Sequence, residues 1–172
     1  QFIFLNRTCF NGLYRVNRAG LYNVPHGDYK NPTICDEKNL HAVSSLLKKV
    51  HIYQGDYKES AKYIERDSFV YFDPPYRPLN VTSSFTSYSK YDFSDEDQVQ
   101  LAHFFTEMND TGALIMLSNS DPKNENPDDN FFDELYGKFY IHRIKAKRAI
   151  NSNGGRRGLV SEILVTNYRV KY

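Results

Sequence analysis

The stretch Phe69-Val70-Tyr71-Phe72-Asp73-Pro74-Pro75-Tyr76 decides the fold of the residues around it. An apolar and aromatic run ends here in an acid, two prolines and a further aromatic. This pattern predicts a buried strand that delivers Asp73 to a rigid turn at its carboxyl end. Each proline fixes its own φ at about −65°, and Pro75 also keeps Pro74 out of the helical region. Because open α/β sheets bind ligands at the carboxyl ends of their strands, we expect the chemistry at this turn.

The turn offers two hydrogen-bond acceptors close together, the Asp73 carboxylate and the Pro74 carbonyl. Two acceptors without a donor suit a substrate that presents an amino group with two hydrogens. Tyr76 adds a flat face, so a planar heterocycle with an exocyclic amine fits all three groups. The lone pair of such an amine is delocalised into the ring, and two fixed acceptors favour the pyramidal form in which it becomes available for reaction.

The tetrapeptide Asp73-Pro74-Pro75-Tyr76 resembles the signature of amino-group DNA methyltransferases, which transfer a methyl group from S-adenosylmethionine to adenine N6 or cytosine N4. Related tetrapeptides also serve RNA and glutamine methylation. A longer upstream region is similar to the Dam-type, D12 class adenine methyltransferases, which include GATC methylases of restriction systems. It consists of Phe4-Leu5-Asn6-Arg7-Thr8-Cys9-Phe10-Asn11-Gly12-Leu13-Tyr14-Arg15-Val16-Asn17 and Tyr22-Asn23-Val24-Pro25-His26-Gly27-Asp28-Tyr29.

This resemblance implies a site-specific DNA adenine-N6 methyltransferase, with GATC as the leading target. It assigns catalysis to Asp73, Pro74, Pro75 and Tyr76. Asp73 accepts a hydrogen bond from the target amine and assists proton loss, the Pro74 carbonyl is the second acceptor, and Tyr76 stacks on the flipped adenine. The same resemblance assigns S-adenosylmethionine binding to Asp56, Tyr57 and Asp73. The alternative for Asp56 is a cap on the helix that follows, and both roles are compatible.

The expected fold is α/β, a partial Rossmann-like S-adenosylmethionine-dependent methyltransferase sheet with a β-hairpin from the target-recognition region. Residues 1–35 are expected to end that region and residues 36–172 to form the carboxyl-terminal part of the catalytic domain. The family's Phe-x-Gly-x-Gly segment is absent from the sequence, so the chain resembles a carboxyl-terminal portion, with a missing amino-terminal segment as an expected partner. Two alternatives stay open: a non-catalytic DNA-binding fragment, and an RNA or protein-glutamine methyltransferase.

Two short strands, residues 13–16 and 21–24, are predicted to form the hairpin, joined by the loop 17–20. A two-stranded ribbon fits the major groove, where Arg and Asn read base edges. The glycine-rich, basic stretch 148–158 is a candidate phosphate clamp. The alternative for the hairpin is an exposed surface with no DNA contact. The residues expected to contact duplex DNA are Arg7, Asn11, Arg15, Asn17, Arg18, Tyr88, Arg156 and Arg157.

The segment 77–93 is long, polar and aromatic, without a clear period. Loops of this length in compact domains are usually functional or mobile. A base inside a duplex reaches Asp73 only if it is extruded, so we expect this loop to close over the flipped base. The alternative is that its aromatic residues anchor the loop to the core. The candidate contacts are Ser84, Phe85, Tyr88 and Tyr91.

Other elements follow from capping and apolar periodicity. A helix is predicted from the Asp36 cap to about Val50, with one apolar face for packing, and a second from the Ser94 cap to about Met108. Strands are predicted at residues 51–54, 112–117, 139–144 and 159–167, a short helix at 131–136 and a loop at 126–130. Ser118, Asn119 and Ser120 are expected at the rim of the site.

The amino-acid composition limits the class of protein further. The chain of 172 residues is 40% hydrophobic, with two cysteines and five histidines. No histidines have metal-ligand spacing, and no cysteine arrangement suits covalent cytosine chemistry. There is neither a signal peptide nor an apolar run long enough to span a bilayer, so we expect a cytoplasmic protein without a membrane partner. A restriction endonuclease of the same system is a further expected partner.

Overall fold

The computed structural model describes residues 1–17, 19–79, 93–147 and 159–170. The chain divides into two compact units, Gln1–Gly55 and Asp56–Tyr172. The predicted loop contacts Ser84, Phe85, Tyr88 and Tyr91, and the predicted DNA contacts Arg18, Arg156 and Arg157, lie outside the described residues.

The first unit contains helix α1 (Phe2–Thr8), a 3₁₀ helix (Phe10–Gly12) and helix α2 (Glu37–Leu47). Between them the chain reverses where a hairpin was predicted. The predicted strands are wrong, because the described residues of the reversal contain one isolated antiparallel bridge, Val16 with Tyr22, and no strand. Part of the reason is that Asn17 Oδ1 accepts bonds from the amides of Ala19 and Leu21, at 2.9 and 3.0 Å. Local side-chain bonds of this kind compete with a ladder.

Helix α2 begins as predicted, because Asp36 accepts a bond from the Asn39 amide at 3.1 Å. It ends at Leu47, about a turn before the predicted limit. The interpretation of its apolar face as a packing surface is wrong for the described structure, since these side chains are 42 to 62% exposed. They are Leu40, Val43, Leu46, Leu47 and Val50.

The predicted strand at residues 51–54 is also wrong. These residues pair with no strand in the described part of the chain, and Ile52 is 74% exposed. An apolar run becomes a strand when a neighbouring strand pairs with its backbone, and that condition is not visible in a local pattern.

The second unit has a mixed α/β structure. Its elements are β1 (Phe69–Phe72), α3 (Asp95–Asn109), β2 (Leu114–Ser120), α4 (Phe131–Leu135), β3 (Tyr140–Lys147) and β4 (Leu159–Thr166). Two 3₁₀ helices, Tyr57–Tyr63 and Pro122–Asn124, complete the described elements. The positions of the helices and strands predicted between residues 69 and 167 are confirmed, with ends shifted by a few residues, and the predicted loop at 126–130 is present. The expectation that β1 is a buried strand is wrong, because Phe69 and Tyr71 are 61% and 51% exposed and only Phe72 is buried.

The four strands form one sheet in the order β1-β2-β4-β3. β1 and β2 are parallel, with Phe72 opposite Leu117, whereas β2–β4 and β4–β3 are antiparallel. The sheet is therefore mixed and mostly antiparallel. Because β1 and β2 run in the same direction, the residues that follow Phe72 and Leu117 meet at one edge of the sheet.

Helix α3 closes one face of this sheet. Its start is fixed by a capping box, in which the Asp97 amide donates to Ser94 Oγ and the Ser94 amide donates to the Asp97 carboxylate. The core that it covers includes Leu101, Phe105, Ile115, Leu117, Tyr136 and Val165, all at most 2% exposed. In the described residues, no helix is both long enough and apolar enough to cross a membrane.

Candidate active site

Asp73 comes directly after β1 and lies beside Ser118 on β2. The Ser118 hydroxyl donates to Asp73 Oδ1 at 3.1 Å and lies 2.8 Å from the Tyr71 hydroxyl. If Ser118 gives its proton to Asp73, then Tyr71 is the donor to Ser118. Asp73 Oδ2 has no hydrogen-bond partner among the described residues. Within the described part of the chain, the carboxylate is thus held through one oxygen only.

The carbonyl of Pro74 accepts no hydrogen bond from the described residues, whereas that of Pro75 accepts one from Gln98 Nε2 at 3.0 Å. The backbone amide of Arg77 donates to Asn119 Oδ1 at 2.9 Å, and Asn119 Nδ2 donates to Gln98 Oε1 at 3.1 Å. The turn is therefore held from its inner side, and the Pro74 carbonyl is left available.

The side chains beneath the turn are buried. Gln98 and Asn119 are 0% exposed and Ser120 is 3% exposed, and the Ser120 hydroxyl donates to the Arg77 carbonyl at 2.7 Å. The expectation that residues 118–120 line the rim of the site is wrong, because β2 continues through them and buries them under the turn. Gln98 was not among the residues predicted from the sequence. The sequence pattern that could have identified it is a polar residue on the same helix face as the buried Leu101, Ala102 and Phe105.

Tyr76 is 38% exposed at the end of the turn. Burial raises the pKa of its hydroxyl, nearby Glu162, Asp73 and Tyr71 add to the rise, and a hydrogen bond with Ser118 opposes it. The phenol is consequently neutral at physiological pH, and its ring is partly open to solvent.

Arg77 fastens the turn to two other elements through its side chain. Nε and Nη2 donate to the two carboxylate oxygens of Asp95 at 2.8 and 3.0 Å, and Nη1 donates to Asp129 at 2.8 Å. The guanidinium carbon lies 4.3 Å from the centre of the Phe131 ring. The hydrogen bonds to Asp95 and Asp129 raise the pKa of Arg77, and the bond from Arg77 lowers the pKa of Asp129. The end of the turn is thereby linked to the starts of α3 and α4.

Asp56 and Tyr57, assigned by resemblance to the cofactor, begin the second unit. Asp56 Oδ1 accepts a bond from the Lys58 amide at 2.9 Å, so the predicted capping role is present. The Tyr57 ring packs edge-on against Phe104 with centroids 5.4 Å apart. Asp56 keeps its second carboxylate oxygen without a partner among the described residues, which fits a role toward an amine or hydroxyl of a ligand.

The predicted DNA contacts in the first unit have defined local roles. Arg15 donates to the side chain and the backbone carbonyl of Asn23, both at 2.9 Å, and Asn17 holds the reversal described above. Asn11 has a left-handed φ of 54° beside Gly12. Arg7 lies in the last turn of α1 with its side chain exposed. Contact of these residues with DNA stays a prediction.

Comparison with known proteins defines the class. The Type II methyltransferase M.MjaIII of Methanocaldococcus jannaschii is 56% identical over 169 residues, which are 98% of this chain and 56% of that protein. The Type II methyltransferase M1.LlaDCHI of Lactococcus lactis is 42% identical over 170 residues, covering 98% of this chain and 57% of the relative. The DNA adenine methylase of Escherichia coli K12 is 35% identical over 163 residues, covering 95% and 56%.

A profile of the family described as D12 class N6 adenine-specific DNA methyltransferase matches residues 1–150. The chain belongs to this family. It spans about half the length of the curated relatives it matches.

Proposed function

We propose that this chain carries the target-base site of a site-specific methyltransferase that acts on adenine N6 in duplex DNA, with GATC as the leading sequence. The observation that carries the proposal is that Asp73 Oδ2 and the Pro74 carbonyl accept no hydrogen bond from the described residues, with the partly exposed Tyr76 at the end of the same turn. The family of the chain supports this chemistry.

In the proposed mechanism, the chain's own residues bind and orient the target amine. Asp73 Oδ2 and the Pro74 carbonyl each accept one of its two hydrogens, and Tyr76 stacks on the base after extrusion from the duplex. As the amine attacks, it gains positive charge, which the carboxylate stabilises because it is held in advance by Ser118. Asp73 then assists loss of the proton. These two acceptors exclude thymine, which has no exocyclic amine, whereas adenine, cytosine and guanine each present one.

The family implies S-adenosylmethionine, which supplies the electrophilic methyl group when bound. Asp56 and Tyr57 would hold its adenine ring, and the free carboxylate oxygen of Asp56 fits that role. Asp73 would also contribute to holding the cofactor. We also infer that the sheet is part of a Rossmann-like methyltransferase fold. The parallel pair β1–β2, connected through α3, supports this inference.

The proposed wider roles follow from the same family assignment. DNA binding by Arg7, Asn11, Arg15 and Asn17 is supported by their polar or basic character in a stretch without an acidic residue. Arg18, Tyr88, Arg156 and Arg157 are proposed DNA contacts from the sequence alone. Cytoplasmic location and a restriction endonuclease partner are proposals of the same kind, and the latter is supported by two relatives named as type II methyltransferases.

Asp73→Ala tests the mechanism. We expect it to abolish methyl transfer, since the first acceptor for the amine is lost, while DNA affinity stays within about tenfold of the parent. The measurement is incorporation of labelled methyl groups into duplex DNA, RNA and protein, made on the longest natural chain that carries these residues.

Asp128→Ala is the matched control, because Asp128 is exposed and outside the turn. It should methylate duplex DNA at the parental rate. Normal turnover by Asp73→Ala would disprove the proposed role of the carboxylate. Preferred methylation of RNA or protein would assign the chain a different substrate class.

A further inference from the structure

We propose that Gln98, Asn119 and Ser120 form a buried polar clamp that positions Tyr76, and so directs the ring that stacks on the target base. None of the three touches the base in this proposal, so they are positioning residues. The inference rests on the proposed function, because it assigns the clamp a task in that same site.

The clamp holds the peptide groups on both sides of Tyr76. Gln98 Nε2 donates to the Pro75 carbonyl, which belongs to the peptide group before Tyr76. Asn119 Oδ1 accepts from the Arg77 amide, which belongs to the peptide group after it. Because peptide groups are planar, only the φ and ψ of Tyr76 lie between these two fixed planes. Holding both planes therefore fixes the direction in which the Tyr76 side chain leaves the backbone.

The burial of the clamp indicates that its hydrogen bonds are needed to hold the turn. Gln98 and Asn119 are 0% exposed, and each uses its amide on the other as well as on the turn. A buried amide is costly unless it is hydrogen-bonded, and an apolar side chain would fill the same place in the face of α3 that carries Leu101 and Phe105. The two amides are thus best explained by the backbone groups they hold.

Ser120 extends the clamp by one residue. Its hydroxyl donates to the Arg77 carbonyl at 2.7 Å, so the peptide group after Arg77 is held too. The Pro74 carbonyl and Asp73 Oδ2 receive no bond from the clamp. The bonds therefore fix the turn from the inside and leave free the two acceptors that face the amine.

Gln98→Met tests the clamp, because it keeps the volume of the side chain and removes both of its hydrogen bonds. On the longest natural chain that carries these residues, we expect the single-turnover rate of methyl transfer to fall about fivefold or more. DNA affinity should change by less than about twofold. Without DNA, hydrogen exchange at the Arg77 amide should become about tenfold faster, because Asn119 loses its support.

Asn167→Leu is the matched control. The Asn167 side chain accepts from the Ile115 amide at 2.7 Å and donates to the Ala113 carbonyl at 2.8 Å, near the start of β2 and not at the turn. Its replacement should lower the stability of the fold without faster exchange at Arg77. If both variants slow methyl transfer in proportion to their loss of stability, Gln98 is only a structural residue and the proposal fails.

A double-mutant cycle separates positioning from general damage. If the clamp acts through Tyr76, Gln98→Met should have little further effect on the rate in a Tyr76→Ala background. An equal fall in both backgrounds would overturn the proposal. Should Gln98→Met fail to fold, Ser120→Ala removes the hydroxyl that donates to the Arg77 carbonyl and contacts Asn119 Oδ1, with little change in volume. It should slow transfer by about twofold in the parent only. A parental rate for Ser120→Ala would then count against the clamp.

The two proposals fail in different ways. If the parent transfers no methyl group to DNA, the proposed function is wrong, yet exchange at Arg77 in Gln98→Met still reports whether the clamp holds the turn. If the parent methylates DNA and Gln98→Met has parental transfer and exchange rates, the proposed function survives and the clamp does not.

Discussion

At the scale of single residues, the most informative contact is that between Ser118 and Asp73. A carboxylate at a strand end rotates easily, and a bond at 3.1 Å to one oxygen restricts which oxygen faces outward. Tyr71 in turn lies 2.8 Å from the serine hydroxyl. The proposed acceptor is therefore oriented before any base arrives, and this lowers the cost of reaching the reactive geometry.

Ser118→Ala should slow methyl transfer by about tenfold, because the Asp73 carboxylate loses its fixed orientation. Single-turnover kinetics measure this rate. Tyr71→Phe is the milder comparison, since Ser118 can still donate to Asp73, and we expect it to keep at least half of the parental rate. A Ser118→Ala variant as fast as the parent would show that orientation by Ser118 is unimportant.

Arg77 makes stability depend on pH in the acid range. Its bond lowers the pKa of Asp129, so the contribution to stability is present above about pH 4, the ordinary range of a carboxyl group, and is lost as pH falls through the lowered pKa. Arg77→Gln should therefore show a smaller loss of stability on acidification than the parent. Urea unfolding at several pH values between neutral and acid measures the slope.

Arg66→Gln is the control for this experiment, because Arg66 forms no ion pair among the described residues. It should keep the parental slope. A parental slope in Arg77→Gln as well would mean that Asp129 gains nothing from the pair in solution.

At the scale of elements, the sequence predicted those whose signals are local. The capping box of Ser94 and Asp97 and the apolar spacing of Leu101, Phe104 and Phe105 identify α3 without any knowledge of its partners. The apolar run before Asp73 identifies β1 in the same way. The turn was also predictable, because its prolines restrict the backbone wherever they occur.

Elements that depend on distant partners were not predictable. Residues 51–54 have the composition of a strand but no paired neighbour in the described chain. The clamp was missed for the same reason. Gln98 and Pro75 are 23 residues apart, and Asn119 and Arg77 are 42 apart, so no spacing rule joins them. The fold brings these residues together, because β1 and β2 are parallel and α3 packs against both strands.

At the scale of the whole chain, the two units differ in how much they bury. None of the residues of α1 or α2 is buried, whereas α3 buries six. Both α2 and α3 have a side-chain cap, so burial and not capping separates them. Stability within a protein follows such differences in packing.

We therefore expect amide hydrogens of α2 to exchange faster than those of α3 by at least about a hundredfold. Hydrogen exchange followed by mass spectrometry on this 172-residue chain measures both helices in one sample. Equal protection of α2 and α3 would show that burial within the described residues does not govern local stability here.

The position of β1 matters for anyone who wishes to redesign the proposed target-base site. In the described sheet this strand of four residues pairs only with β2. Its carboxyl end, which leads into the turn, therefore has a neighbouring strand on one side only. Changes to Asp73 or Tyr76 would replace the chemical groups themselves. Substitutions at positions 98, 119 and 120 would instead change the orientation of the turn and keep its own residues. A library restricted to these three positions would explore new target bases while keeping the reactive groups intact.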